Sequence, residues 1–118
     1  MTTSITVQGI YAAIAVRDLE SALEWYATFM GRPADDHPLP HMAQWRDMGT
    51  AGLQLWRDDE RTGSGIMTIV VPNLAAEKER LAAQGILPAT EASGEFGAVA
   101  NFFDRENNRI ILAEPPKG

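Results

Sequence analysis

Hydrophobic positions along the chain follow two different periods. In Ile10-Tyr11-Ala12-Ala13-Ile14-Ala15-Val16 the apolar run is short, partly β-branched and closed by the polar pair Arg17-Asp18, which is the pattern of a strand. From Leu19 the period changes. Leu19, Ala22, Leu23, Tyr26, Ala27 and Met30 recur at steps of three and four, so a helix would carry them on one stripe. Asp18 is placed to accept from the amides of the first turn, and Gly31 followed by Pro33 ends the helix.

The same grammar returns 55 residues later in IMTIVVPNLAAEKERLAAQGILP. Val71 answers Val16, Asn73 answers the cap Asp18, Leu74 answers Leu19 and Pro88 answers Pro33; Ile14/Ile69, Glu24/Glu79 and Ala27/Ala82 match at the same offset. An offset near half the chain length points to an internal duplication. The second helix is the weaker of the two, because Glu77 and Lys78 interrupt its apolar stripe. Extended segments follow each helix: HMAQWRDM and GLQLWR in the first half, GAVANFF and RIILAE in the second. Turn chemistry at Asp47-Met48-Gly49 and at Asp104-Arg105-Glu106-Asn107-Asn108 joins each of these pairs into a hairpin. Each half therefore reads as a strand, a helix and two or three further strands, an α+β arrangement.

Composition narrows the function. A chain of 118 residues with 45% hydrophobic and 22% charged positions matches one globular domain, with a first module at about 7–60 and a second at about 63–115. A net charge of −6 without a run of Lys or Arg excludes a nucleic-acid or anionic-membrane surface, which needs dense positive charge. The absence of cysteine removes disulfides, thiolate metal sites and a cysteine nucleophile, and fits a reducing cytoplasm. The N-terminus MTTSITVQGIY has no basic segment followed by a long apolar run, and no stretch approaches the roughly 18 apolar residues of a spanning helix. The expectation is a soluble, cytoplasmic protein.

Both histidines lie in DDHPLPH at 35–41. His37 and His41 are four apart, a spacing that would pair two imidazoles on a helix, but Pro38 and Pro40 oppose a helix there. The segment reads as a loop, with a metal or proton-transfer role as the alternative.

The strand-helix unit IYAAIAVRDLESALEWYATFMG, its echo IMTIVVPNLAAEKERLAAQG and the ending FFDRENNRIILAE resemble the vicinal oxygen chelate superfamily, which unites glyoxalases, bleomycin-resistance proteins and extradiol dioxygenases. The resemblance covers nearly the whole chain. It implies two βαβββ modules whose curved mixed sheets form a concave cavity, within a homodimer that can exchange modules. In metal-using members the first strand of each module gives a His or Gln ligand and the last strand a Glu. Carried onto this chain, the four slots fall on Tyr11, Gln54, Ile66 and Ile111. Only Gln54 is a plausible ligand, and a catalytic divalent ion needs about three or four protein donors. No metal or other cofactor is therefore expected.

Because residues two apart on a strand share a face, the slots also define the cavity wall. Tyr11 brings Ala13 and Ala15; Gln54 brings Trp56; Ile66 brings Thr68 and Val70; Ile111 brings Arg109 and Ala113. Ile14, Val16, Leu53, Leu55, Ile69, Ile110 and Leu112 turn to the helices. Tyr11 and Trp56 offer faces for a planar or cationic ligand, while Gln54 and Thr68 offer hydrogen bonds. Trp45, Phe96, Phe102 and Phe103 are further candidates for the wall. Trp25 and the acidic run at 58–60 read as packing or solvated surface.

The leading expectation is a metal-free protein that sequesters a small aromatic or cationic molecule, such as an antibiotic or toxin, without transforming it. The alternative is an enzyme of the same fold, either with an unusual metal site at His37, His41 or a carboxylate, or with Tyr11 or Glu95 as acid or base. A third reading is a subunit whose sheet only mediates dimerisation.

Overall fold

A computed structural model describes residues 5–116. Residues 1–4 of MTTSITVQGIY, where no targeting signal is expected, lie outside the described residues. The first half contains β1 (Ile10–Val16), α1 (Leu19–Met30), β2 (Asp36–Leu39), β3 (Met42–Met48) and β4 (Ala51–Arg57). The second repeats the order with β5 (Ile66–Val70), α2 (Leu74–Ala82), β6 (Thr90–Gly94), β7 (Gly97–Phe103) and β8 (Arg109–Glu114). Each half forms one four-stranded mixed sheet, ordered β1-β4-β3-β2 and β5-β8-β7-β6. β1 runs parallel to β4 and β5 parallel to β8, while the hairpins β3-β4 and β7-β8 are antiparallel.

The helix boundaries follow the capping residues. Asp18 accepts from the Ser21 amide at 3.0 Å, and Asn73 accepts from the Ala76 amide at 3.0 Å. Gly31 closes α1 at φ 83°, a left-handed conformation that costs a side-chain-free residue little. The polar stripe of α2 has a purpose: Arg80 donates to the Thr28 and Phe29 carbonyls at 3.0 and 2.6 Å, satisfying acceptors at the C-terminal end of α1.

The segment 35–41 is not a loop throughout, because Asp36–Leu39 forms the strand β2. Its pairing with β3 shifts register between Asp36 and Leu39, and among the described residues β3 is its only partner. An edge strand of this kind tolerates Pro38, whose missing N–H disrupts a central ladder but not a border.

Helix-facing residues of both sheets meet in one core. Ile14, Val16, Leu53 and Leu55 from the first sheet and Ile110 and Leu112 from the second are buried there, as the alternation predicts, with Ile69 partly buried against them. Phe29 of α1 reaches Phe102 of the second sheet with ring centroids 5.3 Å apart, and it stacks on Trp25 at 4.9 Å. The helices thus pack into a core shared by the two sheets.

The turn after β7 locks the halves together. Asp104 accepts from the buried Tyr26 hydroxyl at 2.8 Å and from the Glu106 and Asn108 amides. Asn108, fully buried, donates to the Ala15 carbonyl and to Asp104 and accepts from the Gly63 and Gly65 amides, which uses its whole hydrogen-bonding capacity. Glu106 accepts from the Arg17 and Asp18 amides at 2.6 and 2.8 Å and from the Thr62 hydroxyl.

Candidate functional site

Because the helices and core occupy the inner faces of both sheets, the opposite faces are left uncovered and open outward. The radius of gyration, 15.4 Å, exceeds the roughly 13.5 Å of a compact chain of this length. Ile66 and Val70, 64% and 66% exposed, lie on the open face of the second sheet. The wall expected as a single concavity is divided: Tyr11, Gln54 and Trp56 lie on the first sheet, Ile66, Thr68, Arg109 and Ile111 on the second.

Two clefts bring subsets of these residues together. A cleft of about 640 Å³ at the seam between β1 and β5 joins Tyr11 and Gly52 to Thr68 and Val70. A second, of about 520 Å³, is lined by Ala13, Ala15, His41, Trp56, Arg57 and Arg61. In this second cleft His41 is tilted against Trp56, ring centroids 5.6 Å apart, whereas His37 lies exposed on the edge strand β2. Neither cleft includes Arg109 or Ile111.

Trp45 and Phe102 do not belong to the open face. They are 0% and 1% exposed within the common core, and the Trp45 indole N–H donates to the Arg32 carbonyl at 2.9 Å. The register explains the difference: Trp45 pairs with Leu53 and Phe102 with Ile110, and both partners face the helices. Phe103, one residue on, points to the open side and is exposed beside Arg109.

The open face of the first sheet carries a directed row of hydrogen bonds. The Trp56 indole N–H donates to Gln54 Oε1 at 3.0 Å, Gln54 Nε2 donates to Gln44 Oε1 at 3.1 Å, and Gln44 Nε2 donates to Asp36 Oδ1 at 3.2 Å. Arg46 pairs with the other Asp36 oxygen at 3.3 Å. An indole can only donate and a carboxylate can only accept, so the two ends fix the orientation of both amides between them. Gln44 and Asp36 escaped the sequence reading, because their alignment with Gln54 depends on hairpin register and on β2. His41 entered only as a possible ligand, not as a neighbour of Trp56.

These residues do not fit the metal of the fold family. Of the four slots only Gln54 offers an ordinary ligand atom, its amide oxygen, which also accepts from the Trp56 indole. Tyr11 and the apolar Ile66 and Ile111 add no set of carboxylates or imidazoles, and no group of three His, Cys, Asp or Glu suited to a metal occurs among the described residues. Elsewhere, burial and the neighbouring Asp104 push the Tyr26 phenol far above its usual range, so it stays a donor. Burial raises Glu106, but the Thr62 hydroxyl and the Asp18 and Arg17 amides outweigh it and hold the carboxyl below its ordinary value.

Repeated βαβββ halves with open outer sheet faces and a common helix-side core form the glyoxalase/bleomycin-resistance fold. The chain is similar to a glyoxalase/bleomycin resistance protein from Catenulispora acidiphila, with a TM-score of 0.86 and 23% identity over 93% of this chain and 100% of that one. It is also similar to an antibiotic binding protein from Streptomyces sp. CB03234, at TM-score 0.78 and 24% identity over 98% of this chain and 100% of the other. A glyoxalase/bleomycin resistance protein/dioxygenase from Nocardioides matches at 0.74 and 19%, over 99% of this chain and 88% of that one. No family model and no curated protein matches the chain. No helix among the described residues is long and apolar enough to cross a membrane.

Proposed function

We propose that this chain is a cytoplasmic, metal-free binding protein that sequesters a small planar aromatic compound, of antibiotic or toxin type, in a cavity completed by a second copy of itself. The observation that carries the reading is the coupling of Gln54 to the aromatic Trp56 on an open face where the remaining slots, Tyr11, Ile66 and Ile111, offer no carboxylate or imidazole. The antibiotic binding protein among the similar structures supports sequestration without chemistry. Exposed Ile66 and Val70 on the open face of the second sheet support a dimer, since apolar strand surface of this kind is stabilised by being covered. In that dimer the open face of one sheet meets the open face of the partner's other sheet, and the pocket gains both walls.

The test combines metal loading with ligand screening. After incubation with zinc, nickel, manganese and iron followed by dialysis, elemental analysis is expected to find no stoichiometric metal, and planar aromatic compounds are expected to raise the melting temperature. A retained stoichiometric ion, or a screen in which no compound shifts melting, would overturn the proposal.

A further inference from the structure

Among the described residues β1 has a ladder only with β4 and β5 only with β8, so each strand turns a bare edge toward the seam between the two sheets. The edges run antiparallel: the Ala15 end of β1 lies by Gly65, and the Tyr11 end lies by Val70. At the Ala15 end the side-chain amide of Asn108 closes the seam. It donates to the Ala15 carbonyl at 2.9 Å and accepts from the Gly63 and Gly65 amides at 3.1 and 2.9 Å. At the Tyr11 end the seam opens into the cleft of about 640 Å³.

That cleft is a gap between strand edges and not a hollow on one face, because side chains of both parities line it: Tyr11 with Ala12, and Thr68 and Val70 with Met67 and Ile69. Backbone direction alternates in the same way. Val16 bonds on the β4 side, accepting from the Asp58 amide at 2.9 Å, while Gly65 and Val71 bond on the β8 side, to Arg109 and Ala113. Tyr11 and Ala13 on β1, and Thr68 and Val70 on β5, therefore aim both N–H and C=O into the seam. None of the side chains lining the gap carries a charge, in a chain where 22% of residues do.

We infer that the seam between β1 and β5 is a second binding site, separate from the Trp56 wall, for an extended and uncharged peptide-like ligand whose amides pair with both bare edges. An extended chain carries N–H and C=O groups along each of its two sides, which is what two facing strand edges require. The closed end already shows the chemistry, since one neutral amide there serves a carbonyl of β1 and the amides leading into β5. A charged ligand would give up hydration in the gap with no counter-charge to replace it.

Four capped tetrapeptides test this: acetyl-Thr-Val-Thr-Val-amide, its analogue N-methylated at both valines, and versions with Lys or with Glu in place of Thr. In calorimetric titrations of the full-length protein at pH 7, the neutral unmethylated peptide is expected to bind about tenfold tighter than each of the others, the size of one or two hydrogen bonds. Its presence is expected to slow amide exchange at Tyr11, Thr68 and Val70. Thr68→Pro removes an N–H from the seam and none from the ladder with β8, and Val70→Glu sets a charge at a position 66% exposed. Each is expected to weaken the neutral peptide by about tenfold. Near-ultraviolet circular dichroism and melting establish that the variants are folded, and Val70→Glu decides alone if Thr68→Pro is not. No binding of the neutral peptide, a methylated or charged peptide that binds as tightly, or affinity unchanged in the folded variants overturns the strand site.

Discussion

Tyr11 lies across Gly52. The two are cross-strand partners in the parallel pair β1-β4, and the phenol ring fills the space that a side chain at position 52 would occupy. A β-carbon there would also come within 2.7 Å of the Trp45 carbonyl oxygen. The glycine thereby lets the ring lie down on the sheet and form the floor of the seam cleft shared with Thr68 and Val70. Gly52→Ala is expected to cost about 1–3 kcal/mol in urea unfolding, the usual range for overpacking. Adding Tyr11→Ala should restore part of the loss but not all, since the Trp45 carbonyl stays in place. Full additivity of the two substitutions would show that the ring does not depend on the glycine.

Trp56 belongs to the wall and to the amide row, and it stays partly exposed, unlike the core residue Trp45. Trp56→Ala is expected to weaken, by tenfold or more, the binding of a planar aromatic compound that raises the melting temperature of the native protein, while costing about 1 kcal/mol of folding stability. Equal free-energy losses in titration and unfolding would assign Trp56 to packing alone.

Removal of the Tyr26 hydroxyl breaks a buried bond between the two halves. Tyr26→Phe is expected to lower stability by about 1.5–3 kcal/mol, because a carboxyl group inside the protein loses one of its donors. Ligand affinity should change little, since Tyr26 lies on the helix side of the sheets. An unchanged urea midpoint would refute the assignment.

Glu106 gives the fold an acid-sensitive joint. Its folded pKa lies below the ordinary 4.5, so the stability it contributes is complete above that value and is lost as pH falls through the folded value. Glu106→Gln should therefore melt below the native protein at pH 7, and the difference between the two should shrink as pH drops below the ordinary 4.5 and through the lower folded value. A difference independent of pH would mean that the carboxylate charge contributes nothing to the joint.

The strand-helix units were legible because their signals are local. Asp18 and Asn73 cap where the sequence places them, and the offset of 55 residues reappears in the spacing of β3 and β7. Strand parity assigned Ile14, Leu53, Leu55, Ile110 and Leu112 to the core, since alternation needs only one strand at a time. Trp45 and Phe102 were misplaced on the wall because an aromatic residue suits both faces, and only register with Leu53 and Ile110 decides between them.

By itself, then, the sequence determined the duplicated βαβββ plan and the helix ends, both properties of residue identity and near neighbours. Tertiary structure decided the rest. The amide row exists only because hairpin register aligns Gln44 with Gln54 and an edge strand brings Asp36 to Gln44. The outward separation of the two open faces follows from helices that pack into a single core, a long-range choice governed by apolar burial that no local pattern records.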